Sequence, residues 1–155
     1  MTSENKNVII IGAGLCGSLL ALRLAQRGCK VRVYEKRSDP RTSDLYSGRS
    51  INLAFSNRGN KAMKLVGMED KVIPLCIPMK GRLIHDKSGN TLQSNYSGNS
   101  NEFINSISRK DLNILLINEA ENHSDVTFHF NITCTSVDFK SKIVNFKDNS
   151  KTYSV

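Results

Sequence analysis

Hydrophobic positions follow the most regular pattern in the first part of the chain. The apolar run at residues 8–11 predicts a short, buried parallel strand. Leucine and alanine then recur at helical spacing as far as Ala25, and Gly28 is typical of a residue that ends a helix. A second strand is predicted over residues 30–34. This order of strand, helix and strand predicts a βαβ unit with parallel strands.

The turn between the first strand and the helix is rich in glycine. In the sequence Gly12-Ala13-Gly14-Leu15-Cys16-Gly17, the first glycine permits a tight turn and the second lets a pyrophosphate approach the backbone. Gly17 lets the helix pack closely on the strand, and the helix N-terminus attracts phosphate. Glu35 follows the second strand, where an acid binds ribose hydroxyls. The pattern predicts a dinucleotide site; the alternative is a glycine-rich turn in another α/β domain.

The middle of the chain changes from helical to alternating periodicity. After a polar loop at 36–48, Ser56 is a predicted cap for a helix at 57–66, and a short helix follows at 69–73. Alternation at 80–85 and 91–96 then predicts a β-hairpin.

The last third of the chain is predicted to return to the parallel sheet. A strand at 103–107 leads to Ser108, which is a predicted cap for a helix at 109–122. Another strand is expected at 126–130, and residues 131–155 alternate like a β-meander. Antiparallel strands would therefore interrupt the βαβ unit, which favours a flavoprotein over a plain nicotinamide-dependent dehydrogenase.

Composition narrows the class of protein. The 155 residues suit one domain, and no apolar run approaches the ~20 residues that span a bilayer. The polar N-terminus is too short for a signal peptide, and the four cysteines show no metal-binding spacing, so we expect reduced thiols and no metal site. The formal charge of +8 suits an anionic cofactor or acidic substrate. Because the basic residues are scattered, we expect no nucleic-acid partner.

Four stretches together resemble a known family. They are the glycine fingerprint with Glu35, GRSINLAFSNRG at 48–59, IPMKGRLIH at 77–85 and SISRKDLN at 106–113. They are similar to the kynurenine 3-monooxygenase family of FAD-dependent aromatic hydroxylases, related to p-hydroxybenzoate hydroxylase. The resemblance implies an α/β fold: an FAD-binding, Rossmann-like βαβ domain with an inserted antiparallel β-sheet, incomplete as given. Other flavin hydroxylases and squalene-epoxidase-like enzymes are the alternatives among enzymes.

The resemblance also implies site residues. Those expected to contact FAD are Gly12, Gly14, Cys16 and Gly17 at the pyrophosphate, Tyr34, Glu35, Lys36 and Arg37 around the adenosine, and Arg49, Ala54, Arg109 and Cys134 elsewhere on the cofactor. Arg82 is expected to hold the substrate carboxylate and Tyr96 to line the substrate pocket. The alternative is that Arg82 is a solvated charge, Tyr96 packs in the hairpin and Arg109 lies on the surface. No catalytic side chain is expected, because the cofactor carries the chemistry.

In that family NADPH is the co-substrate, and L-kynurenine and O₂ are the substrates. The cysteines, read as reduced thiols, predict a cytosol-facing protein. The resemblance implies that the full-length family member lies at the mitochondrial outer membrane, with membrane contact only through a C-terminal region absent here; for this chain itself a cytoplasmic or unknown location is expected. Asp-Gly and Gly-Asp motifs of the family do not occur, and Asp148 precedes Asn149. We therefore expect residues 1–155 to be the N-terminal part of one FAD-binding domain, including part of the substrate-pocket sheet at about 77–107, and inactive alone. A non-catalytic, truncated nucleotide-binding form is the other alternative.

Overall fold

The structure is a computed structural model that describes residues 6–42, 51–99, 101–148 and 151–155. These residues form two compact units, which divide between residues 49 and 50 and again between residues 112 and 113. In the described parts of the chain, no helix combines the length and the apolar character needed to cross a membrane.

The elements alternate between short helices and short strands. In chain order they are β1 (Asn7–Ile11), α1 (Leu15–Ala25), β2 (Lys30–Tyr34), β3 (Asn52–Phe55), α2 (Asn57–Leu65), α3 (Glu69–Val72), β4 (Ile77–Met79), β5 (Gly81–His85), β6 (Thr91–Asn95), β7 (Ile104–Ser108), α4 (Arg109–Glu121), β8 (Val126–His129), β9 (Thr133–Asp138), β10 (Ile143–Lys147) and β11 (Thr152–Ser154).

The first unit contains the predicted parallel sheet. Its strand order is β1-β2-β8, and both pairings are parallel. Val31 and Val33 of β2 are completely buried, as is Leu22 of α1. Strand β1 is less buried than its apolar sequence predicts: Ile11 is 51% exposed, because β1 lies at an edge of the sheet formed by the described strands.

The C-terminal β-meander is also confirmed. Strands β9, β10 and β11 form an antiparallel sheet in the order β11-β10-β9. Its Phe146 is completely buried and stacks on the ring of Tyr34, with 4.0 Å between ring centroids. This contact joins the meander to the carboxyl end of β2 within the same unit.

The second unit is the antiparallel insertion. It contains the sheet β3-β7-β4 and the predicted hairpin β5–β6, in which Arg82 lies opposite Ser94. Strands β3 and β4 were not expected from the sequence. Both are short, and β4 carries Pro78, which is tolerated because β4 is an edge strand.

Helix α4 begins as the sequence predicts. The backbone N–H of Asp111 donates a hydrogen bond to Oγ of Ser108 (3.3 Å), which caps the first turn. Leu112, Leu115, Leu116 and Ala120 recur at helical spacing and would form the apolar stripe of this helix. Leu112, Leu116 and Ala120 are buried, together with Ile117, whereas Leu115 is only partly buried. The division between the two units falls within this helix, after Leu112.

Candidate dinucleotide-binding site

The glycine turn has the geometry that its sequence predicts. Gly12 has φ +102°, a backbone conformation that residues other than glycine rarely adopt. Its N–H donates a hydrogen bond to the carbonyl of Tyr34 (2.8 Å). A Cβ atom on Gly17 would lie 1.9 Å from the carbonyl oxygen of Gly12, so the helix and the turn pack too closely for any side chain. A Cβ on Gly14 would meet no atom within 4 Å. Open space therefore lies in front of Gly14.

The N-terminus of α1 faces this turn without a side-chain cap. Gly14 is the N-cap residue, and the first helical hydrogen bond runs from the Ser18 N–H to the Gly14 carbonyl (2.9 Å). The backbone N–H groups of the first turn consequently have no partner within the helix, and the turn contains no acidic residue. Their partial positive charge suits an anion.

Glu35 contacts the turn directly. Its Oε2 accepts a hydrogen bond from the backbone N–H of Ala13 (2.9 Å), and its Oε1 accepts one from the N–H of Arg37 (3.0 Å). Each carboxylate oxygen has a second lone pair, so the group can still accept hydrogen bonds from ribose hydroxyls. The sequence predicted the ribose role of Glu35 but not its attachment to the glycine turn.

A buried polar cluster holds the other side of the turn, and sequence reasoning missed it. Nδ2 of Asn113 donates to the Ala13 carbonyl (2.9 Å), and Oγ of Ser18 lies 3.2 Å from the same oxygen and 3.4 Å from Oδ1 of Asn113. The single hydroxyl proton serves one of these two acceptors at a time. Leaving such a buried group unpaired costs about 1–3 kcal/mol. A polar residue beside the apolar stripe of α4 was the available signal.

The segment after β2 is fixed against the start of the meander. The N–H of Ile132 donates to the Glu35 carbonyl (2.9 Å), and the N–H of Asn131 donates to the Arg37 carbonyl (3.0 Å). Lys36 and Arg37 have exposed side chains at this edge. Cys134 packs against the cluster of Tyr34, Val144 and Phe146. The Tyr34 ring is itself buried there, so Tyr34 reaches the turn through its backbone carbonyl.

Two ion pairs at the protein surface hold the same segment in place further along the chain. Arg41 forms ion pairs with Asp39 and with Glu121 of α4, and its guanidinium lies over the ring of Phe130. The hydrogen bond from Arg41 lowers the pKa of the Asp39 carboxyl below its ordinary value, against a smaller opposing effect of burial. These ion pairs help to keep the chain after β2 in place.

The structure brings together nine of the twelve predicted FAD contacts in one unit. They are Gly12, Gly14, Cys16, Gly17, Tyr34, Glu35, Lys36, Arg37 and Cys134. The open space at Gly14, the uncapped helix N-terminus and the acid at the end of β2 fit the pyrophosphate and ribose of a dinucleotide. Arg49 lies outside the described residues.

The remaining predicted residues belong to the second unit. Ala54 is an exposed residue of β3, paired with Ser106, and Arg109 is exposed at the start of α4. The two predicted substrate residues lie together: the guanidinium carbon of Arg82 is 5.6 Å from the centroid of the Tyr96 ring, a cation–π contact. Tyr96 also lines an open pocket of about 690 Å³ with Phe55, Arg58 and Phe103 among its walls.

Solved structures of a monooxygenase and of an oxygenase share this fold. p-Nitrophenol 4-monooxygenase from Pseudomonas putida is 14% identical, with a TM-score of 0.74 over 96% of this chain and 39% of that chain. The tetrameric form of 2-methyl-3-hydroxypyridine-5-carboxylic acid oxygenase is 19% identical, with a TM-score of 0.74 over 97% of this chain and 38% of that chain.

Sequence comparisons give closer similarities. Kynurenine 3-monooxygenase from Cytophaga hutchinsonii is 50% identical over 84% of this chain and 29% of that protein. The enzymes of the same name from Anopheles gambiae and Stenotrophomonas maltophilia are 47% and 42% identical, over 84% and 93% of this chain and 27% and 31% of those proteins. The chain thus spans about a third or less of these relatives.

The profile of the family described as FAD binding domain matches residues 5–152, nearly the whole chain. This match agrees with the glycine turn, the free helix N-terminus and the acid that follows β2. The chain therefore belongs to the FAD-binding domain family, as its resemblance to kynurenine 3-monooxygenases predicted.

Proposed function

We propose that this chain forms the adenosine- and pyrophosphate-binding part of an FAD-dependent monooxygenase. The observation that carries the proposal is the uncapped N-terminus of α1 behind the open position at Gly14. The pyrophosphate would accept hydrogen bonds from the first-turn N–H groups, and the ribose would donate to Glu35. Lys36 and Arg37, exposed beside Glu35, would face the adenosine.

The proposed reaction is the hydroxylation of L-kynurenine to 3-hydroxykynurenine with NADPH and O₂. Its support is the names of the relatives that are 40–50% identical over most of this chain. Bound flavin supplies the redox chemistry that activates oxygen. The protein's part is to hold the cofactor and the substrate and to exclude water. Association with the mitochondrial outer membrane remains a prediction from the resemblance.

Arg82 and Tyr96 are the proposed substrate contacts. The fork-shaped guanidinium of Arg82 can bind the amino-acid carboxylate through two parallel hydrogen bonds. The Tyr96 ring supports the guanidinium from one side and lines the pocket in the same unit. Among the described residues, Arg82 forms no ion pair with an acid, so its charge is available for a ligand.

The function is tested by two measurements in sequence. Flavin absorbance that stays with the purified protein after gel filtration tests FAD binding. Kynurenine-dependent oxidation of NADPH, with 3-hydroxykynurenine identified as the product, tests the reaction in the complete enzyme. A dehydrogenase of the plain nicotinamide type would fail both tests. For residues 1–155 alone we predict weak FAD retention and no product.

A further inference from the structure

Two buried polar side chains converge on one backbone atom of the glycine turn. Among the described residues, Ser18 and Asn113 are the buried polar residues, with 0% and 6% of their surface exposed. Both reach the carbonyl oxygen of Ala13, at 3.2 and 2.9 Å. The N–H of the same residue is held from the opposite direction by Glu35. Three side chains therefore hold Ala13 in the turn.

The direction of the Ala13 carbonyl determines the direction of the next N–H group. In a trans peptide the carbonyl and the following N–H point to opposite sides, so an Ala13 oxygen turned toward Asn113 sends the Gly14 N–H away from the buried cluster. Gly14 is exposed there, with open space in front of it. The outward N–H is the group that a pyrophosphate oxygen would meet.

Glycine at position 14 makes this peptide easy to rotate. Because glycine tolerates positive φ as readily as negative φ, the Ala13–Gly14 peptide is free to flip unless something holds it. A flipped peptide would present the Ala13 carbonyl oxygen, which carries partial negative charge, to the anion. The hydrogen bond from Asn113 opposes that flip.

We propose that Asn113, assisted by Ser18, is a positioning residue of the pyrophosphate site: it locks the Ala13–Gly14 peptide with its N–H toward the anion. This inference rests on the proposed binding of FAD. Asn113 suits the task because its amide donates to the carbonyl while its Oδ1 can accept from Ser18. Leu116 and Ile117, which follow Asn113 on α4, are completely buried.

The test compares Asn113→Leu with Leu116→Ala, a core substitution in the same helix that leaves the polar cluster intact. The probe is ADP, the half of FAD that contains the pyrophosphate, titrated calorimetrically well below each variant's melting temperature. We expect both variants to unfold at lower temperature, but only Asn113→Leu to bind ADP about tenfold more weakly. Equal ADP affinity for Asn113→Leu and the unsubstituted chain, or an equal loss in Leu116→Ala, would overturn the proposal.

Ser18→Ala covers the case in which Asn113→Leu does not fold. It removes the hydroxyl that donates either to the Ala13 carbonyl or to Oδ1 of Asn113. We expect about threefold weaker binding and a shifted Gly14 amide resonance in ligand-free ¹⁵N spectra. Unchanged affinity together with an unchanged Gly14 resonance would refute the lock. If the unsubstituted chain binds neither ADP nor FAD, the proposed function fails; the ligand-free Gly14 resonance then decides separately whether the lock exists.

Discussion

The glycine turn and the β5–β6 hairpin both carry predicted ligand contacts, yet they are built differently. In the turn, the Glu35 carboxylate accepts a hydrogen bond from the Ala13 N–H, and Asn113 and Ser18 donate to the Ala13 carbonyl, so Ala13 is fixed before any ligand arrives. In the hairpin, Arg82 rests on the Tyr96 ring, while Leu83 and Leu92 are 58% and 65% exposed. The turn is a pre-organised site made by backbone geometry. The hairpin instead offers exposed side chains, and apart from the contact between Arg82 and Tyr96 it does little to fix their positions.

This contrast predicts different responses to mutation. A substitution that disturbs the packing of the turn, as at Gly17, should damage the fold and the ligand site together, because the same atoms serve both; a substitution at the open position of Gly14 should affect the ligand site alone. A substitution in the hairpin should affect substrate binding and leave the fold and the flavin content nearly unchanged.

Gly17→Ala should have the largest effect. Its Cβ would lie 1.9 Å from the Gly12 carbonyl oxygen, so α1 or the turn must move. We expect a loss of about 3 kcal/mol in the free energy of unfolding and no measurable ADP binding. Thermal unfolding and calorimetry check both. Gly98→Ala is the control, because a Cβ there meets no atom within 4 Å. Normal ADP binding by Gly17→Ala would show that the turn is not as tight as described.

Arg82→Ala should raise the KM for kynurenine about tenfold or more in the complete, FAD-loaded enzyme. A hydrogen bond between charged groups contributes about 1.5–3 kcal/mol, and tenfold corresponds to about 1.4 kcal/mol. Flavin content should stay constant, as measured by absorbance. Lys87→Ala, at the exposed hairpin turn, provides a matched loss of charge. An unchanged KM for Arg82→Ala would return this residue to the status of a solvated charge.

Glu35→Ala should weaken ADP binding about fivefold, because it removes the acceptor for the Ala13 N–H and the proposed ribose contact. Excess FAD should restore turnover in the complete enzyme, since the variant leaves the redox chemistry untouched. Glu35→Gln retains one acceptor oxygen, so its affinity for ADP should lie between that of Glu35→Ala and that of the unsubstituted protein. Turnover that excess FAD does not restore would require another role for Glu35.

The Asp39–Arg41 pair should produce the smallest effect, visible as a dependence on pH. The pKa of Asp39 is lower in the folded protein than its ordinary value, mainly through the hydrogen bond from Arg41. Its stabilisation is therefore present at neutral pH and is lost progressively as the pH falls through and below the ordinary pKa of aspartate, about 4. For this partly exposed pair we expect below about 1 kcal/mol. The difference in melting temperature between the unsubstituted chain and Asp39→Asn should shrink over that fall in pH; a constant difference would contradict the assignment.

Sequence reasoning succeeded where chemistry is encoded by neighbouring residues. The turn from Gly12 to Gly17, the βαβ unit and the hairpin follow from local patterns of glycine and hydrophobic residues. The role of Asn113 was missed because its partner, Ala13, is distant in sequence and contributes only a backbone oxygen. The exposure of Ile11 was missed because the apolar sequence of β1 does not show whether the strand lies at the edge or in the centre of its sheet. Short strands such as β4 carried too little alternation to be recognised.

The most direct test of the central claim is the affinity of Gly14→Val for ADP and FAD. Gly14 has φ −75° and ψ −179°, which valine adopts readily, and its Cβ position is open. We predict an unchanged melting temperature and at least about hundredfold weaker binding of both ligands, because the new side chain fills the space expected for the phosphate oxygens. Gly98→Val should leave binding unchanged. Tight binding of ADP by folded Gly14→Val would show that the pyrophosphate does not bind at this turn.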